Sequence, residues 1–129
     1  KYAKRDNKRR RIKKQIGRDF MKDLKISKEL IKNVLVEETE NLSEDFSFYI
    51  DEDYIVFRDE GETLFDYNIY KFAFKCKEWA RDKYDITISS SLYKNYAKSW
   101  NIDKDKSYTA KTEVEVIIKA CSGILEQNK

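Results

Sequence analysis

Cys76 and Cys121 are the two candidate nucleophiles in this chain. A reactive thiol needs an electropositive, partly exposed setting. Lys75 and Lys77 flank Cys76 in sequence. On a helix, however, they point away from its face. Both cysteines are therefore expected to be buried as small hydrophobes. The chain has no histidine, which removes the commonest general base, metal ligand and neutral-pH switch at once. The carboxylates are numerous but scattered, and no apolar run marks a pocket that would raise one of their pKa values. Asp51-Glu52-Asp53 is an acidic triplet that invites a metal reading. A calcium loop needs more oxygen ligands at longer spacing and a glycine for its turn. The triplet is therefore expected to be a hairpin tip. With only Gly17, Gly61 and Gly123, no phosphate-cradling loop can be built. The expectation is a protein with no catalytic residues, no metal and no cofactor.

What remains is surface chemistry. Residues Lys1 to Phe20 hold ten Lys/Arg and two acids, giving 10 − 2 = +8. The whole chain is +3, so Met21 to Lys129 carries 3 − 8 = −5. Lys8, Arg9, Arg10, Arg11, Lys13, Lys14 and Arg18 are the candidates for holding phosphate or an acidic partner. Ile12, Ile16 and Phe20 fall at helical spacing, and Gly17 weakens that helix by about 1 kcal/mol. The arm is thus read as helical or disordered. Two readings of residues 1–20 stay open: a native arm, or an upstream extension or fused segment ahead of a natural start at Met21. On the acidic body, Tyr49, Tyr54, Tyr67, Tyr93, Tyr96 and Trp100, with Asp51, Glu52 and Asp53, are the protein-binding candidates.

The elements that must carry these residues can be read from periodicity. An aromatic content of 14% argues for a packed core, and the absence of proline argues for mostly regular structure. Ser27 caps a helix running to about Glu38, with Leu30, Ile31, Val34 and Leu35 on one face. Phe46–Ile50 and Tyr54–Arg58 form a hairpin around Asp51-Glu52-Asp53, and Arg58–Glu62 is a turn. Asn68 to about Lys83 is a helix burying Ile69, Phe72, Ala73, Cys76, Trp79 and Ala80, with Tyr70 and Phe74 widening the same face. Asp85–Tyr93 and Tyr96–Ile102 are antiparallel strands, followed by a turn over Asp103–Lys106. Thr112-x-x-Glu115 opens a last helix with Val114, Ile117, Ile118, Cys121, Ile124 and Leu125 inward. The fold class is α+β, a mainly antiparallel sheet of about four strands covered by helices, in the order α-β-β-α-β-β-α. Residues 21–129 form its single acidic domain.

Two segments resemble a group of small phage and prophage proteins of unknown function. They are Asn68-Ile69-Tyr70 through Lys75-Cys76-Lys77-Glu78-Trp79-Ala80, and Thr112-Glu113-Val114-Glu115 through Lys119-Ala120-Cys121. The group typically runs NIYELAHKCKEWA, a Gly-Tyr turn and two strands, then TEPEAIFKACEWIL. The resemblance spans roughly Ile26 to Leu125. Tyr84-Asp85 stands where the Gly-Tyr turn is usual, Val114 where proline opens the last helix, and Ser122-Gly123 in place of Glu-Trp. The shared positions are core and cap residues, which specify a fold and no reaction. The resemblance implies a phage-type accessory protein, the two widely separated cysteines a reducing, cytoplasmic setting, and the acidic body a host or phage protein partner with a basic surface. Inhibition of host nucleic-acid-handling or defence machinery, such as a CRISPR nuclease, is the analogous role. Nucleic-acid binding through the arm is the alternative. No membrane partner is expected, and homo-oligomerisation is left open.

Overall fold

The computed structural model describes residues 24–94, 96–101 and 106–129. The cationic arm, with Lys8, Arg9, Arg10, Arg11, Lys13, Lys14 and Arg18, lies outside the described residues. The elements run α1 Lys28–Val34, α2 Val36–Thr39, β1 Ser47–Asp51, β2 Tyr54–Asp59, β3 Glu62–Asn68, α3 Ile69–Tyr84, β4 Ile88–Leu92, β5 Ala97–Asn101, β6 Lys106–Ala110 and α4 Glu113–Gln127. The class is α+β, as the periodicity predicts. The single four-stranded sheet is corrected to two antiparallel sheets of three strands, β1-β2-β3 and β4-β5-β6.

The two additional strands begin at the last residue of each expected turn, Glu62 and Lys106, and run through segments to which the sequence reading gives no element. Glu60 and Gly61 both take positive φ (53° and 80°), the combination of a type I′ hairpin turn. Asp59 therefore pairs directly with Glu62, and the chain returns as β3. That strand gives its inner face to Phe65 and Tyr67. Leu64 points out, so no continuous apolar run signals the strand. Phe65 stacks on Phe57 with ring centroids 4.6 Å apart. The Asp51-Glu52-Asp53 connection is also tighter than expected. Asp51 pairs with Tyr54, leaving Glu52 and Asp53 as the turn, with Glu52 at φ 56°. In the second sheet, Lys106 opens β6 and does not close a turn. Tyr108 and Ala110 of β6 pack on the core.

The first helix is capped by Ser27, whose Oγ accepts from the Leu30 N–H at 3.0 Å. It breaks at Leu35 (φ −105°, ψ 58°), so the expected single helix is two short ones. The central helix α3 ends where Asp85 adopts a left-handed conformation (φ 57°). The Asp85 N–H donates to the Arg81 carbonyl (3.0 Å) and the Ile86 N–H to that of Ala80 (3.2 Å). This C-terminal cap turns the chain sharply into β4. The expected strand from Asp85 is accordingly shortened to start at Ile88.

Helix α4 begins as expected, with Thr112 Oγ1 accepting from the Glu115 N–H at 3.1 Å. It lies close over the second sheet because Ala97 and Ser99, both fully buried, are small, and Ser99 Oγ donates to the Val116 carbonyl at 3.2 Å. Gly123 keeps that approach open over β6, since a Cβ there would collide with the Tyr108 hydroxyl. A single hydrophobic cluster joins all of this, from Leu24 through Phe57, Phe72 and Ile118 to Leu125. No helix among the described residues is long and apolar enough to cross a membrane.

Candidate protein-binding groove

Tyr70 and Phe74 are not part of the buried face of α3. They are 52% and 62% exposed. At about 100° per residue, Lys77, Tyr70 and Phe74 stand roughly 80°, 100° and 140° round the helix from Ile69. They form a second stripe, beside the core stripe. The helix is held in this phase at its start. Asn68 Oδ1 accepts from the N–H groups of Tyr70 (2.9 Å) and Lys71 (3.1 Å). The Ile69 N–H donates to the Asp53 carbonyl at 2.7 Å, which ties the helix to the β1–β2 hairpin tip.

That second stripe forms one side of a groove of about 600 Å³. Ala73, Val114 and Ile117 lie among its lining residues, with Leu92 from the end of β4 and Lys111 from the approach to α4. Leu92 is 66% exposed. One wall is polar and internally bonded. Lys77 Nζ donates to Ser90 Oγ (3.3 Å), and Ser90 Oγ donates to Glu113 Oε2 (2.7 Å). Desolvation pushes the Tyr70 phenol above its ordinary pKa, with the Asp53 carboxylate adding to the effect. The acidic hairpin tip therefore stands at the Tyr70 end of the groove. An open apolar concavity edged by a few fixed polar groups is the usual form of a binding site.

The residues singled out from sequence fall into three places. Tyr93 and Tyr96 come together at the β4–β5 turn, stacked with centroids 5.0 Å apart, and strand alternation puts them on the sheet face of Trp100, opposite Leu92. Tyr49 is exposed on the outward face of the first sheet, opposite Val56. Tyr54 and the Asp51, Glu52 and Asp53 tip adjoin it, and Tyr67 faces the core. Trp100 is half-buried on the face of the second sheet turned away from α4. The groove residues Tyr70, Phe74, Lys77, Leu92, Lys111 and Glu113 are absent from the sequence-based candidates. The one available signal was that Tyr70 and Phe74 share a side of the helical wheel with Lys77, away from Cys76.

Cys76 and Cys121 are both buried, and Cys121 Sγ donates to the Cys76 carbonyl at 3.5 Å. Burial, followed by the neighbouring Cys121, pushes the Cys76 thiol well above its usual range. Iodoacetamide is therefore expected to leave both thiols of the folded chain unmodified and to label both in denaturant, as read by intact mass. Rapid single labelling of folded protein at Cys76 would contradict this placement. Among the described residues no group of three or more His, Cys, Asp or Glu is arranged to hold a metal ion. No protein family, curated protein or solved structure matches this chain.

Proposed function

We propose that this protein acts by stoichiometric binding, seating part of another protein in the groove between α3, β4 and the start of α4, without turnover. The observation that carries this reading is the exposure of Tyr70, Phe74 and Leu92 around one concavity. Large apolar side chains on a folded surface are ordinary when scattered, but gathered around a groove they mark an interaction site. The resemblance to small phage and prophage proteins supports an accessory role. The net charge of −5 on residues 21–129 supports a partner with a basic surface, host nucleic-acid-handling or defence machinery included.

The test uses the full chain as bait in a host lysate beside a Tyr70→Ser/Phe74→Ser variant. A saturable partner retained by the parent chain and lost by the variant supports the reading. A partner retained equally by both, or none for either, refutes it.

A further inference from the structure

The second sheet has an open side at the groove. The Tyr93 N–H donates to the Tyr96 carbonyl at 2.7 Å, and the β4–β5 register continues unbroken from Leu92↔Ala97 to Ile88↔Asn101. Antiparallel ladders alternate, so this bond fixes the phase of the whole strand. Ser89, Ser91 and Tyr93 direct their backbone groups to β5. Ile88, Ser90 and Leu92 direct theirs away from it. Among the described residues no strand pairs with β4 on that side.

Edge strands are normally guarded by charge, proline or a bulge. Of the four edge strands here, β1 carries Asp51, β3 carries Glu62 and Asp66, and β6 carries Lys106. Only β4, Ile88-Ser89-Ser90-Ser91-Leu92, has no charge, and its register shows no bulge. The unguarded edge and the apolar groove coincide. Leu92 belongs to both, and Ser90 anchors the groove's polar wall.

We propose that the occupant is an extended segment of a partner protein, adding a fourth strand to the open edge of β4. This rests on the binding reading above and specifies its geometry. Backbone groups of the segment would pair with those of Ile88, Ser90 and Leu92. Its alternate side chains would be apolar and cover Phe74 and Leu92. An acidic side chain would complement Lys77 and Lys111, two cations set against the single carboxylate of the lining, Glu113. A second copy of this chain fits less well. Antiparallel β4–β4 pairing about a twofold axis would satisfy the same backbone groups, but Ile88-Ser89-Ser90-Ser91-Leu92 brings no acidic side chain to Lys77 and Lys111 and little apolar surface to Phe74.

The experiment selects binders to the full chain from a displayed random library of roughly twelve-residue peptides, long enough to cover one strand. The best sequence is then resynthesised with single N-methyl groups. The expected peptides carry apolar residues at every second position and at least one Asp or Glu. N-methylation should weaken binding by about tenfold at alternate positions and little between them, as one lost backbone bond predicts. Leu92→Pro should weaken binding well beyond Leu92→Ala, because only proline also removes the outward N–H. Peptides with apolar spacing of three and four would overturn strand addition in favour of a docked helix, while sparing the groove as a binding site. So would insensitivity to N-methylation. Binding unaffected by Tyr70→Ser/Phe74→Ser would overturn both readings, and so would the absence of any selected peptide. A concentration-dependent dimer abolished by Leu92→Pro would replace the partner segment with a second copy.

Discussion

Phe57→Ala is expected to cost about 3–5 kcal/mol of folding stability, the range for an aromatic ring removed from a filled core. Phe57 is fully buried at the centre of the first sheet. It stacks on Phe65 at 4.6 Å and meets Phe46 and Phe48 at 6.1 and 6.4 Å. Three of those four rings are on strands, so the cavity left behind cannot close by moving one flexible loop. A domain of this size has about 5–15 kcal/mol in total, so at least about a fifth of the chain's margin would be lost. Phe74→Ala provides the contrast. With that ring mostly in water, its removal should change stability by about 0.5 kcal/mol or less. Urea unfolding of the two variants beside the parent chain decides between core and surface roles for the two phenylalanines. Equal losses would mean that Phe74 is packed and the groove is filled.

The second large effect falls on binding. Tyr70→Ser/Phe74→Ser is expected to reduce affinity for the captured partner by a factor of about 100 or more. The reason is that an aromatic anchor at an interface contributes about 2 kcal/mol or more. The melting temperature should stay close to that of the parent chain, because both positions are more than half exposed. Trp100→Ser is the control. Its ring lies on the opposite face of the second sheet and should leave binding intact. If Trp100→Ser abolishes binding and the groove variant does not, the interaction face is the outer one.

The buried positions were legible because both long helices are strongly periodic. Ile69, Phe72, Cys76 and Trp79 in α3, and Val114, Ile117, Cys121 and Ile124 in α4, are all inside as their spacing predicts. The third strand of each sheet was not. Glu-Thr-Leu-Phe-Asp-Tyr-Asn and Lys-Ser-Tyr-Thr-Ala contain no fully buried side chain; Phe65 and Tyr67, and Tyr108 and Ala110, are only partly covered. Their place is set by hydrogen bonding to a neighbouring strand and by a two-residue turn at Glu60-Gly61, not by an apolar signature of their own. The break at Leu35 had no signal either, since Leu35 continues the helical stripe and is itself fully buried.

The groove was illegible for a different reason. A helical wheel shows that Tyr70 and Phe74 border the core stripe, but the width of the buried arc depends on what packs alongside. Here α3 packs against α4, α1 and β3, which leaves its Tyr70–Phe74–Lys77 side without a helix over it. That side looks onto β4, a strand with no neighbour beyond it among the described residues. Tyr93 and Tyr96 were correctly identified as surface aromatics. The meeting of Leu92 with Tyr70 and Phe74 arises only when the Asp85 turn brings α3 and β4 together.

Residue-resolved amide hydrogen exchange on the free full chain tests the open edge most directly. The N–H groups of Ser89, Ser91 and Tyr93 should exchange slowly, while those of Ile88, Ser90 and Leu92 should exchange at rates close to those of an unstructured peptide. Uniform protection along β4 would contradict this, because it would mean that the edge is already covered.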